Sequence, residues 1–319
     1  MDEKQLIEKM ADTAGQIPSH AEVFAVRQYS LEEIHRRAKR FLAIASEVCE
    51  QPTDRGDWVQ QDNRTLVRLP MGGRAVFHHA SGAMTLTTNI NPMEALFPKV
   101  EAKESLVRLV EATAERLRIG EWAGARESVN FERLWQIKAS AADRNYRAID
   151  PVLCRIVGAY RHVVGKLPVW GAASVAVKVT GTGALDSVSV QIRESTGEPI
   201  DWAPVIRPDV AAQQVLTQLS GLMGKSNVPL SQLVVPQWFG FGYISLNKRK
   251  SQRVLAPHYV AAIAIAGQPE AQAYQFVVPA TERTFLPLCQ AGSHPPVTAA
   301  RAVASRQVAT AARAFRAYH

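Results

Sequence analysis

Gly221-Leu222-Met223-Gly224-Lys225-Ser226 comes nearest, by spacing, to a known chemistry. A glycine-rich loop ending in Lys-Ser cradles phosphate oxygens on backbone N–H groups and sets its lysine on the terminal phosphates. Such a loop needs glycine at position 219, where Leu219 stands, and the stretch closes an expected helix instead of joining a strand to one. Gly181-x-Gly183-x-x-Asp186 fails the dinucleotide pattern at its third position and joins two strands. His78 and His79 fall in an expected strand, where successive rings leave on opposite faces and cannot share one metal. There is no GxSxG, and no cysteine has a local histidine signature. Asn63-Arg64-Thr65 matches a glycosylation acceptor, which matters only in a secreted chain. No catalytic residue, cofactor or metal is expected; an enzyme would have to assemble its site from scattered residues.

Surface chemistry is better represented. The net charge is +8, with a pI near 9.5, a balance that permits nucleic acid, anionic lipid or an acidic partner. One cluster, Arg36, Arg37, Lys39 and Arg40, falls on the wet face of a helix. A second, Lys248, Arg249, Lys250 and Arg253, falls in a loop preceded by Trp238, Phe241 and Tyr243. Cations beside aromatic rings suit single-stranded nucleic acid through phosphate neutralisation and base stacking; the same rings suit a core with a solvated turn beside it. Beyond Arg283 the chain carries no acid, and Arg301, Arg306, Arg313 and Arg316 flank the Val297/Ala304/Val308/Phe315 stripe of an expected C-terminal amphipathic helix. Trp170, beside Pro168 in a tight turn, reads either as an exposed aromatic anchor for a protein partner or as a cap on the sheet core.

The elements that must carry these residues follow from periodicity. Val175, Val177 and Val179 alternate with polar or small residues, as do Val188, Val190 and Ile192 with Ser189, Gln191 and Arg193. A Gly-rich turn joins the two runs, so the pair reads as a hairpin with one buried face. The whole stretch 155–193 is the expected central sheet. Ahead of it, a short helix (2–14) and a weak edge strand (23–29) precede a helix opened by the capping box Ser30-x-x-Glu33, with strands following at 58–60, 65–69, 74–79 and 84–89. A helix at 103–117 leads to a strand at 131–139 with Arg133, Trp135 and Ile137 on one side. A helix at 209–223 leads to strands at 237–246, 259–266 and 273–278. Three rounds of helix then meander, spaced by roughly 100 residues, read as an internal repeat at domain scale. The expected fold class is α+β: tandem helix-plus-antiparallel-sheet modules over 1–98, 99–200 and 201–287, then a C-terminal helix over 288–319.

No apolar run approaches the roughly 18 residues that span a bilayer. The N-terminal MDEKQLIEKMADTAG has acids and no apolar core, so a cytoplasmic protein is expected. Cys49, Cys154 and Cys289 are far apart and form no CxxC, which points to buried free thiols.

YRHVVGKLPVWGAASVAVKVTGTGALDSV resembles the strand–turn–strand of the PepSY and FTP propeptide modules of thermolysin-type metalloproteases. Gly165, Leu167, Pro168, Val169, Gly171 and Ala172 match that family's turn, and Gly183 sits in its later one. The resemblance covers about 35 residues closely and implies a helix packed on an antiparallel sheet. In that family the module inhibits and chaperones a cognate protease; here no HExxH follows, so the resemblance implies a binding module rather than a propeptide. Such modules act through surfaces, and no functional residue is carried over. The expected function is a non-enzymatic protein that engages a protein or peptide, as inhibitor, chaperone or assembly factor, through sheet edges and loops. The alternative is a nucleic-acid or anionic-surface binder using the basic loop and the C-terminal arginines.

Overall fold

The computed structural model describes residues 2–49, 52–99, 101–140, 150–171, 174–223, 229–266, 273–286 and 288. The chain runs α1 (Glu3–Thr13), β1 (His20–Val26), α2 (Leu31–Cys49), then the meander β2 (Asp57–Gln61), β3 (Arg64–Arg68), β4 (Arg74–His78) and β5 (Met84–Thr87). Next come α3 (Lys103–Arg116), a 3-10 turn (Ile119–Trp122), β6 (Glu127–Ala139), β7 (Val152–Val164), β8 (Leu167–Trp170), β9 (Val175–Thr180), β10 (Leu185–Val190) and β11 (Ser195–Pro204). The last part holds α4 (Pro208–Met223), α5 (Leu230–Leu233), β12 (Val234–Ile244), β13 (Val254–Leu255), β14 (Pro257–Ile265) and β15 (Ala273–Pro279). The fold is mixed α+β, with few helices and large sheets.

Local chemistry accounts for the element starts. Ser30 Oγ accepts from the Glu33 N–H at 3.2 Å, while the Glu33 carboxylate accepts from the Ser30 N–H at 2.8 Å, so the capping box of α2 is closed in both directions. From there Ile34, Ala38, Phe41, Leu42, Ala45 and Val48 are buried on one stripe. In β9 and β10 the alternating valines lie in the core, and Gly183 takes φ +81° in the turn between the strands. That is the left-handed region where glycine has no Cβ penalty.

Eleven strands hydrogen-bond in the order β15-β14-β12-β8-β7-β9-β10-β5-β4-β3-β2, and β6 pairs with β7 off that path. The stretch 155–193 therefore occupies the middle of the large sheet. Its two halves meet at β8, which pairs antiparallel with β7 through Val163–Pro168 and Val164–Leu167 and parallel with β12 through Tyr243–Val169 and Ile244–Trp170. A second sheet has the order β11-β1-β13, so β1 is its central strand and not the expected edge.

Packing divides the chain differently from three successive modules. One core gathers α2, α3, β4, β5, β7, β9 and β10, because β5 closes its free edge on β10 and the first two rounds share one sheet. Tight contact of α3 with β7 depends on Gly158, where an added Cβ would lie 2.0 Å from Val110 Cγ1. The other large core joins Leu6 and Met10 of α1 to α4 and to β12, β14 and β15, so the N-terminal helix packs with the third round. The expected 200/201 boundary falls inside β11, whose residues pair with β1 from His20–Pro204 to Val26–Ser195.

Candidate functional site

Trp170 is not the exposed anchor its turn position implied. It is half-buried, edge-to-face with Trp238 at 4.6 Å between ring centroids, and the Arg161 guanidinium lies 5.0 Å from its ring. Its carbonyl neighbour Pro168 belongs to β8, and Pro168 O would lie 2.3 Å from a Cβ at Gly242, so β8 and β12 are pressed together here. A turn inside a sheet, flanked by a crossing strand, cannot hold its aromatic ring free. Of the aromatic half of the nucleic-acid arrangement, Phe241 and Tyr243 are buried, with Tyr243 Oη donating to Glu22 O at 2.9 Å, and Trp238 is half-buried against Trp170.

The cationic half stands differently. Lys248, Arg249, Lys250 and Arg253 form no ion pair among the described residues. Their loop is held from beneath by Arg193. This side chain donates to Lys250 O at 2.7 Å, Asn247 O at 3.2 Å and Leu246 O at 3.4 Å, and reaches Ala80 O at 3.3 Å. Ser81 Oγ adds a bond to Lys248 O at 2.7 Å. Alternation along the strand put Arg193 on the wet face; it is 3% exposed. Burial without a carboxylate pulls its pKa down to about 10. Arg306 and Arg313, with the whole expected C-terminal helix, lie outside the described residues, as do Lys225 and Ser226 of the phosphate-loop imitation.

Two buried ionic groups brace the surrounding strands. Arg155 binds Asp186 at 2.8 Å and the carbonyls of Asn91 and Glu94 at 2.9 and 3.1 Å, tying the linker to the central hairpin, and Lys178 meets the other Asp186 oxygen at 3.1 Å. His162 Nε2 lies 2.9 Å from Glu127, whose carboxylate also accepts from Ser195 N at 2.6 Å and Gly124 N at 2.8 Å. Burial works to raise the Glu127 pKa, but the His162 bond and charge and the two N–H donors outweigh it and leave it below the usual carboxylate value. A His–Glu pair looks catalytic on paper; this one is wholly buried and holds β6, β7 and β11 together. Cys154 donates to Val152 O at 3.3 Å, and burial raises the Cys49 thiol to about 11, so neither is poised as a nucleophile. Among the described residues no group of three or more His, Cys, Asp or Glu is placed to hold a metal, and no helix is long and apolar enough to cross a membrane.

What sequence reasoning undervalued is β6. It is 13 residues long and, among the described residues, hydrogen-bonds in the sheet to β7 alone, from Glu127–Val164 to Ala139–Val152. Trp135 and Ile137 project from its face away from the α3 core and are 54% and 41% exposed; Val152, opposite Ala139, is 39% exposed. The signal was present in the alternation of Arg133, Trp135 and Ile137, but alternation does not say which side meets water.

Two clefts flank the 3-10 turn. One is lined by Arg27, Tyr29, Glu33, Arg36, Arg37 and Arg40, with a volume of about 380 Å³. The other, about 560 Å³, lies between the end of α3, the turn and β6, over Tyr160.

Comparison with known proteins adds the fold alone. No family model matches the chain, and no curated protein matches it. Among solved structures, an uncharacterized protein from Eubacterium rectale is similar over 85% of this chain and 86% of its own, with a TM-score of 0.51 and 8% identity.

Proposed function

We propose that this is a non-catalytic binding protein that accepts an extended segment of a partner protein along the outer edge of β6. The observation that carries this is a long strand bearing exposed Trp135 and Ile137 whose outer side is unpaired among the described residues. An edge of that length offers a row of main-chain donors and acceptors, which natural sheets cover, charge or use for strand addition. An added strand satisfies those groups and lays alternate side chains beside Trp135 and Ile137. Aromatic residues at such places carry a large share of binding energy. The resemblance of 155–193 to PepSY and FTP modules supports the same reading, since those modules act through surfaces.

The test is to pan a displayed library of linear peptides and map the bound peptide by hydrogen exchange. Protection of amides 132–139, with affinity falling about tenfold in Trp135→Ala, is expected. Protection confined to other segments, or equal affinity in Trp135→Ala and Ile137→Lys, sinks the proposal.

A second reading, nucleic-acid or anionic-surface binding, is favoured by one observation: the cations of the loop 248–253 form no ion pair among the described residues. With Phe241 and Tyr243 buried it would rest on phosphate contacts, so affinity would fall steeply with salt. Reversal of charge at Lys248 and Lys250 that leaves nucleic-acid binding unchanged removes it.

A further inference from the structure

The cleft over Tyr160 is a built site of unbalanced charge. Tyr160 is 4% exposed, and its hydroxyl has no hydrogen-bond partner among the described residues. Buried hydroxyls are nearly always paired, so an orphan in the wall of a cleft asks for a group from outside. Glu111 and Glu115, one turn apart on α3, stand on the same cleft and pair with no cation among the described residues. The other charged groups of the rim are already engaged: Arg118 with Glu47 at 3.6 Å, and Glu121 with Arg40. Ala114, Ile119, Val129 and Phe131 give the cleft an apolar wall, with Asn130 beside them, and Phe131 is edge-to-face on Tyr160 at 5.6 Å between ring centroids.

We infer that this cleft binds a small organic ammonium compound. Its apolar body would rest on Phe131 and Val129, its cationic nitrogen would face Glu111 and Glu115, and an N–H would donate to the Tyr160 hydroxyl oxygen. The volume of about 560 Å³ lies within the range of small-molecule sites and is far too small for a folded partner. Burial, then the charges of Glu111 and Glu115, raise the Tyr160 pKa above its ordinary value, so the hydroxyl stays protonated and neutral beside them. A bare metal ion fits poorly, because the cleft provides two carboxylates and an apolar floor where a cation site provides converging oxygens. An amine carrying an aryl or alkyl group satisfies both the charge and the floor. This inference is independent of strand addition on β6, which uses the strand's edge beside Trp135 and Ile137, beyond the Val129–Phe131 stretch that lines the cleft.

Phenethylamine is a suitable probe, with phenethyl alcohol and 3-phenylpropionate as its neutral and anionic counterparts. Titration followed by NMR is expected to give a dissociation constant on the order of millimolar for phenethylamine, with shifts concentrated at Val129, Phe131 and Tyr160. The alcohol and the acid are expected to bind about tenfold more weakly or not at all. Glu111→Gln with Glu115→Gln should weaken the amine about tenfold or more, and Tyr160→Phe by about threefold to tenfold. Both variants keep size and shape, so folding is checked by their unchanged spectra elsewhere. Equal binding of the alcohol, retained amine affinity in the double Gln variant, or no shift at Tyr160 would overturn the inference.

Discussion

On one side of the turn Ile119–Trp122, most of the charges around Tyr29 meet counter-charges. Arg27 and Arg37 meet Glu194 at 3.2 and 3.4 Å, Arg27 also meets Glu33 at 3.3 Å, and the Tyr29 hydroxyl donates to Glu194. Arg37 and Arg40 lie over the Trp122 ring at 5.4 and 5.0 Å. On the other side, the Tyr160 hydroxyl and the Glu111 and Glu115 carboxylates find no such partners among the described residues. Both tyrosines are held protonated, chiefly by burial. The difference lies in whether the protein supplies the counter-charge. The first cleft is a brace between α2 and the segment after β10, built on Glu194 and Glu33, although the Arg37 Nε within it also lacks a hydrogen-bond partner among the described residues. The second has a recess, an unpaired charge and an unpaired hydroxyl together.

Removal of the brace's anion gives the largest expected effect. Glu194 is the acceptor that Arg27, Arg37 and Tyr29 share, and its side chain is 15% exposed. Glu194→Ala leaves cations and a hydroxyl without it, and breaking a mostly buried ionic group in this one-sided way costs about 3 kcal/mol. Urea unfolding at neutral pH measures it. A loss below about 0.5 kcal/mol, the scale of an ordinary surface change, would mean that the Tyr29 cleft is no brace, and the contrast with Tyr160 would collapse.

Tyr29→Phe asks the same question of one bond. A hydroxyl donating to a carboxylate contributes about 1.5 kcal/mol, so the variant should lose that amount in the same assay. Coupling with Glu194→Ala in a double-variant cycle should show most of the tyrosine effect vanishing once the acceptor is gone.

These contrasts were only partly legible in the sequence. The capping box at Ser30 and Glu33 and the valine alternation of β9 and β10 are local signals, and they placed both elements well. The order of the strands is not local. That β5 finds β10, and that α1 joins α4, depends on contacts between residues far apart in the chain, which a local pattern of helix and meander does not carry. Arg193 occupied a polar position by alternation, yet β10 ends at Val190 and the chain turns its guanidinium inward onto the carbonyls of residues 246–250. Trp170 sat in a turn, which usually means exposure; parallel pairing of β8 with β12 covered it. The Tyr160 cleft left no motif, because its signal is the absence of a partner, which exists only in three dimensions.

The loop 247–253 carries charge excess of the opposite sign, and His78 reports on it. Burial, then Lys248, Arg249, Arg64 and His79, hold His78 down to about 4. The fold thus keeps the imidazole neutral, while the unfolded chain takes up a proton near pH 6.5. As pH falls through 6.5 the unfolded state gains that proton first, so stability declines until about pH 4 and is flat in this respect below it. The loss is about 1 kcal/mol once solvent screening of the loop cations is allowed for. NMR titration of His78 checks the cause: Lys248→Gln with Arg249→Gln should raise its pKa. An unchanged value would show that burial alone acts and that the loop's charge excess is not felt by the core.

Tyr160→Phe should have the smallest effect on stability and is the sharpest test of the contrast. If the hydroxyl is unpartnered, its removal takes away a group desolvated without compensation. The isosteric ring keeps the edge-to-face contact with Phe131. The free protein should therefore change by less than about 0.5 kcal/mol, or become slightly more stable, whereas Tyr29→Phe loses about three times that. Urea unfolding of the two variants side by side decides it. A loss of about 1.5 kcal/mol for Tyr160→Phe would mean that its hydroxyl is already bonded in the free protein, and the two clefts would then be braces of the same kind.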